Sequence, residues 1–414
     1  MVKIINIKGR EILDSRGNPT VEAELYLDNG IITRAEVPSG ASTGTHEALE
    51  LRDNDTTRFH GKGVLNAVNN INTIIKDNLV GHDLEQISID KLLISLDGTS
   101  NKSKLGANAT LAVSLACIKA AAKLEGKELY YYLSSGKVSS PIPMVNIING
   151  GCHADNSLDI QEFMIVPVVK GIKERIRVSS EIFHTLKGIL KSQKLNTAVG
   201  DEGGFAPDLE YNTLALDLIM QAIRESGYTP GRDVFIALDI AANELYNKDT
   251  KRYHIDNNNL TNDELIKYYV TLVNMYPIIS IEDPFYEDDF ESLAILTKLI
   301  GEKVMLVGDD YFVTNMRRLE EGVNHHAGNA ILLKANQIGT VTEMIKTILY
   351  ARRHNYQMII SHRSADTEDT FIADFGVGLA IPYIKTGSMS RGERIAKYNR
   401  LIRIEEELTS NKEV

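Results

Sequence analysis

Cysteine is close to absent: Cys117 and Cys152 are the two examples in 414 residues, the first within an Ala-rich helical pattern and the second in a glycine-rich loop. That usage excludes a disulfide framework and a thiolate metal centre, and it suits a reducing cytosol. An excess of positive charge is missing too, since 56 acidic side chains stand against 45 basic ones for a net charge of −11. Such a surface attracts neither nucleic acid nor an anionic membrane. Long apolar runs are also lacking. The uncharged, Ala-rich stretch Leu105 to Ile118 is too short and too polar to span a bilayer and reads as a buried helix, and Lys3, Lys8, Arg10 and Glu11 come before any long apolar core. No P-loop, strand-linked Gly-x-Gly-x-x-Gly, low-complexity segment or solenoid repeat is found. What remains is small-molecule chemistry, in a chain long enough for two domains.

The first part of the chain reads as α+β. Val21, Ala23, Leu25 and Leu27 alternate with Glu22, Glu24, Tyr26 and Asp28, and Asn29-Gly30 then turns the chain into a second alternating run through Val37. This predicts an antiparallel meander with one apolar and one polar face. Val64, Leu65, Val68, Ile71 and Ile75 recur at helical spacing, as do Leu111, Leu115 and Ile118. A linker, Ser134-Ser135-Gly136-Lys137-Val138-Ser139-Ser140-Pro141, follows, so the expected division is residues 1–135 and 136–414.

Beyond the linker the pattern becomes strand, helix, strand. Val234 to Leu238, Ile278 to Ile281, Val304 to Val307, Ala330 to Leu333 and Met358 to Ile360 are short apolar strands, and Thr261 to Glu264 and Thr340 to Glu343 read as capping boxes of intervening helices. The spacing fits an eight-stranded βα-barrel, and it fits an open doubly wound sheet as well. Functional groups at successive strand ends favour a closed rim. Asp239, Glu282 and Asp309 each follow an apolar run directly, and Lys334 repeats the placement. Three carboxylates gathered in a cleft repel one another unless a divalent cation sits among them, and oxygen ligation favours Mg²⁺, Mn²⁺ or Ca²⁺. An unpaired lysine beside such a cation is expected to lose its proton easily and act as a base.

Other acids stand in loops. Glu162 follows Gln161, and Glu202 lies within Gly200-Asp201-Glu202-Gly203-Gly204, where burial is expected to raise its proton affinity as a general acid requires. Arg363, with Ser364 and Lys385, carries the donors that a phosphate would need, whereas His362 taken alone reads as a structural side chain. The run Ser39-Gly40-Ala41-Ser42-Thr43-Gly44 is either a simple turn or a lid.

Longer stretches carry a resemblance. Glu11 through Glu22 (EILDSRGNPTVE), Val37 through Thr43 continuing into His46 to Glu50, Gly200 through Pro207, Ser280 to Pro284, Val307 to Asp310, Asn336 to Thr340 and Arg403 to Leu408 together resemble the enolases from end to end. The resemblance implies a TIM-like βα-barrel of enolase type behind an N-terminal α+β domain, and Mg²⁺-dependent, reversible dehydration of 2-phosphoglycerate to phosphoenolpyruvate in glycolysis and gluconeogenesis. It implies a tight metal on Asp239, Glu282 and Asp309, Lys334 as base, and Glu202 assisted by Glu162 on the acid side. Substrate is then held by His153, Gln161, His362, Arg363, Ser364 and Lys385, and Ser42 ligates a second Mg²⁺, making two per active site when substrate is bound. A Lys base beside Mg²⁺ is the pattern known for this superfamily. Under this reading Lys334 has its proton affinity lowered by Mg²⁺ and by Lys385. A homodimer or an octamer of dimers in the cytoplasm is implied as well, with a secreted or cell-surface fraction suggested by the resemblance alone. Two departures are visible: Ala365-Asp366 stands where Gly-Glu is usual, and Ile381-Pro382-Tyr383 where a Gly-Gln pair is usual.

Overall fold

The computed structural model describes residues 2–40 and 44–410. Strands β1 (Ile4–Leu13), β2 (Pro19–Leu27) and β3 (Ile32–Glu36) form an antiparallel sheet with β2 at its centre. Gly30 closes the β2 to β3 turn at φ +85°, a left-handed conformation that glycine adopts without a Cβ penalty. Val21, Ala23, Leu25 and Leu27 are buried as the alternation predicts, on the sheet that packs against helix Ala107–Leu124. The polar face departs from expectation. Glu22 and Glu24 are only 7% and 3% exposed, because the flanking strands set Arg10 opposite Glu22 and Arg34 opposite Glu24. Arg10 and Arg34 reach Glu24 at 2.6 and 2.7 Å.

The apolar helix beginning at Leu65 is not one regular element. Leu65–Asn70 runs into a π-helical turn, Ile71–Ile75, and then into Lys76–Leu79. Ile71, Ile75 and Leu79 are spaced by four, and the wider π turn keeps them on one buried face; each such side chain contributes about 1.5–3 kcal/mol. Leu65 is left 46% exposed. Among the described residues, one helix, Ala107–Leu124, is long and apolar enough to cross a membrane, but 83% of it is buried inside this fold.

The second part closes on itself, which decides between the two architectures that the spacing allowed. Its strands are β4 (Ile142–Asn149), β5 (Glu162–Pro167), β6 (Val234–Asp239), a side sheet of β7 (Tyr246–Asn247), β8 (Arg252–Ile255) and β9 (Asn258–Leu260), then β10 (Ile278–Glu282), β11 (Met305–Gly308), β12 (Ala330–Leu333), β13 (Gln357–Ser361) and β14 (Tyr383–Lys385). The barrel order is β4-β5-β6-β10-β11-β12-β13-β14 and back to β4. Its neighbours are parallel except that β5 runs antiparallel to both β4 and β6. Met144, Met164, Val166, Val307, Leu332 and Ile359 fill the interior, so the barrel is a packed core and not a pore.

The two parts are docked at the rim carrying the strand ends. Ser39 and Ala365 exchange backbone hydrogen bonds of 2.8 and 3.0 Å, and the fully buried Asp90 accepts from the Thr342 amide and hydroxyl at 2.9 and 2.6 Å, at the start of helix Val341–Arg353. The capping box at Thr261 is complete. That at Thr340 is half formed, since the Glu343 carboxylate turns to the Thr340 hydroxyl and to Lys102, 2.9 Å away on the N-terminal side.

Candidate active site

Strand direction gathers the expected residues. Asp239 and Glu282 end β6 and β10 and are paired in register, Asp309 and Lys334 come one residue after β11 and β12, His362, Arg363 and Ser364 follow β13, and Lys385 ends β14. Glu162 opens β5 and pairs in register with Asp239, which puts it on the same rim. Gln161 precedes it, and His153 closes a 3₁₀ turn after β4. Glu202 arrives from the Gly200–Gly204 loop, where close packing requires glycine: a Cβ on Gly203 would lie 2.6 Å from the Ser390 carbonyl oxygen, and one on Gly204 2.6 Å from Asn149 Oδ1. These groups line one small cavity, and Glu282 contacts Lys385 beside it. Ser42 lies outside the described residues.

The amines organise the acids. Lys385 Nζ donates to Asp239 at 3.1 Å and to both oxygens of Glu282 at 3.0 and 2.8 Å, and it lies 3.2 Å from Glu162 Oε2, which is buried without a hydrogen bond. Asp309 is turned elsewhere. It accepts from Lys334 Nζ and, at 2.7 Å, from Gln337 Nε2. Among the described residues the three expected ligands do not form a closed set; the groups whose ligand atoms all lie within 4.8 Å of one another are His153, Glu162 and Glu202, and Asp283, Asp309 and Asp310. One ammonium serving three buried carboxylates leaves negative charge uncompensated, and burial together with acidic neighbours pushes Glu162 and Glu282 well above the usual carboxylate range. That surplus, in an all-oxygen donor set, fits a hard divalent cation.

Two proton affinities run opposite to the sequence expectation. Lys334 is not unpaired: burial, the largest single effect, lowers its affinity, but the Asp309 and Glu282 carboxylates together raise it above the ordinary lysine value. Glu202 is likewise pulled up by burial, yet His362, His153 and Arg394 prevail and hold it well below the usual range. The cause is geometric, because His153 Nδ1 lies 3.7 Å from Glu202 Oε1, His362 Nε2 lies 3.4 Å from Oε2, and Asn146 donates to Oε2 at 3.0 Å. His153 is also 3.6 Å from Glu162. The carboxylate is thus surrounded by groups that favour its ionised form.

Several functional side chains escaped the sequence reading. Glu47 holds Arg363 through both terminal nitrogens, at 2.9 and 3.1 Å. Asp283 accepts from the Asp309 and Asp310 amides, each at 2.9 Å, and so fixes the loop after β11. Gln337 bridges Asp309 and Glu47. Arg394, from helix Gly392–Ser410, reaches His362 and the carbonyls of Arg363 and Ser364. Glu47, Asp283 and Gln337 sit inside the quoted stretches His46 to Glu50, Ser280 to Pro284 and Asn336 to Thr340, so adjacency to chemistry was their available signal. Asp366 is no orphan beside the phosphate-type donors: Lys397 meets it at 3.0 Å and Arg394 at 3.7 Å.

In comparison with known families, residues 4–133 match the enolase N-terminal domain and residues 137–414 match the enolase C-terminal TIM barrel domain.

Proposed function

This chain belongs to the enolase family of lyases, and from that premise we propose that it interconverts 2-phosphoglycerate and phosphoenolpyruvate with Mg²⁺ as its metal. The observation that carries the reading is the convergence of an amine at Lys334 and an acid at Glu202 on one cavity that also holds Arg363, Ser364 and Lys385. A divalent cation on Asp239, Glu282 and Asp309 would supply Lewis acidity to a substrate carboxylate, and would draw Asp309 away from the Lys334 amine. A second Mg²⁺, reached through Ser42, belongs to the same proposal.

The chain's own groups then divide the work. Lys334 takes the proton from C2, breaking that C–H bond, while Lys385 offsets the negative charge that develops beside it. Glu202 takes up a proton once substrate is bound and gives it to the hydroxyl on C3. The C–O bond breaks, water departs, and the double bond forms between C2 and C3. Glu162, 3.2 Å from Lys385 and sharing His153 with Glu202, places a second buried carboxyl beside the acid, which favours a proton held between them. Arg363 and Ser364 bind the phosphate, the former with a bidentate fork that now clasps Glu47. His153, Gln161 and His362 confine the substrate between the two proton-transfer groups.

Phosphoenolpyruvate, followed by its ultraviolet absorbance, should appear when purified protein and Mg²⁺ meet 2-phosphoglycerate, and chelator should stop it. Absence of turnover with Mg²⁺ and Mn²⁺ alike would sink the proposal.

A further inference from the structure

We infer that Arg394 is a positioning residue that fixes His362 in the tautomer carrying its proton on Nε2, and so presents an N–H to Glu202. The guanidinium is 0% exposed. Its NH1 lies 2.5 Å from His362 Nδ1 and donates to the Arg363 carbonyl at 2.7 Å, while NH2 donates to the Ser364 carbonyl at 2.6 Å and to that of Asp201 at 3.3 Å. An arginine has five donors and no acceptor, so the imidazole nitrogen facing it must offer a lone pair. The proton of a neutral ring then sits on Nε2, the nitrogen 3.4 Å from Glu202 Oε2.

A doubly protonated ring is disfavoured by the same contact, since two donors would face each other. Burial pushes His362 down to about 4, and Arg394 acts in the same direction, so the ring is neutral at working pH. The consequence falls on Glu202. An N–H 3.4 Å from its carboxylate, near it without a formed hydrogen bond, stabilises the ionised form left after proton delivery, whereas the opposite tautomer would turn a lone pair toward it and favour retention of the proton. Arg394 touches neither substrate nor reacting atoms, and its influence passes through the histidine. The link from tautomer to acid catalysis rests on the function proposed above; the tautomer itself does not.

The test begins with the intact wild-type protein. Nitrogen-15 NMR of histidine-labelled protein, with the His362 signals identified by their loss in His362→Gln, should show Nδ1 unprotonated and Nε2 protonated. A proton on Nδ1 overturns the inference with no further variant needed. In Arg394→Met, which offers no donor to Nδ1, the ring should become a mixture of tautomers, and water elimination should fall about 10- to 100-fold, the usual cost of losing such a support, while exchange of the substrate's C2 proton with solvent continues. Unchanged tautomer and rates in that variant, or equal loss of exchange and elimination, would also overturn it. Absence of wild-type turnover would instead remove the functional reading and leave the tautomer measurement standing.

Discussion

Lys385 and Glu282 face each other across the barrel, from strands β14 and β10 that are not neighbours, with the ammonium donating to both carboxylate oxygens at 3.0 and 2.8 Å. Both side chains are buried, with Lys385 at 1% and Glu282 at 2% exposure. Burial works against the charged amine, yet Asp239, Glu162 and Glu282 together raise its proton affinity well above the ordinary value. The lysine therefore stays charged and screens the acids from one another.

Removing that amine should expose how strongly the acids repel. Lys385→Met is expected to cost about 3–5 kcal/mol in chelator, the range for breaking a buried ion pair, and much of the loss should return with Mg²⁺. Thermal melts with and without the ion read this directly. A variant melting like wild type in chelator would contradict the screening role.

The two proton-transfer groups should separate kinetically. Lys334→Ala is expected to abolish exchange of the C2 proton of 2-phosphoglycerate with solvent, followed by deuterium incorporation. Glu202→Gln should retain exchange while elimination falls roughly 10²- to 10⁴-fold, the usual contribution of a general acid. Equal loss of both activities in both variants would reverse the assignment.

Docking of the two parts should depend on Asp90. Asp90→Ala removes the carboxylate that satisfies the Thr342 amide and hydroxyl at the start of a barrel helix, and the expected loss is about 1–2 kcal/mol. Urea unfolding followed by circular dichroism measures it, with faster proteolysis near residues 134–141 as an independent reading.

Acid sensitivity should trace to Glu24. Burial raises its proton affinity, but hydrogen bonds from Tyr26, Arg34 and Arg10 outweigh burial and hold it at about 2, against an ordinary value of 4.5. Between those values the unfolded chain binds more protons than the folded one, so stability rises with pH across the window and is lost as pH falls toward 2. Glu24→Gln should flatten this slope, seen as a smaller difference between urea midpoints at pH 3 and pH 5.

Much of this was legible in the sequence because strand ends are local. An apolar run followed by Asp239, Glu282, Asp309 or Lys334 states its own geometry, and the apolar face of β2 follows from simple alternation. Closure of the barrel was not local, since it rests on β4 pairing with β14, a three-residue strand far along the chain. The charge partners of Lys334 and Glu202 were not legible for a related reason. Each lies on another segment, Asp309 for the lysine and the His153–His362 pair for the glutamate. The buried acids of β2 escaped notice because their neutralising arginines lie on the adjacent strands, where a single-strand pattern cannot find them.

The reversed course of β5 has an outcome for how such molecules diversify. A barrel of uniform direction can offer its working face only the last residue of each strand and the loop beyond. Here the hairpin from β4 delivers a first residue, Glu162, beside a last residue, Asp239, so two carboxylates become ladder neighbours without any loop to hold them. Loops at this corner can lengthen, shorten or drift while that spacing is preserved by the backbone ladder itself.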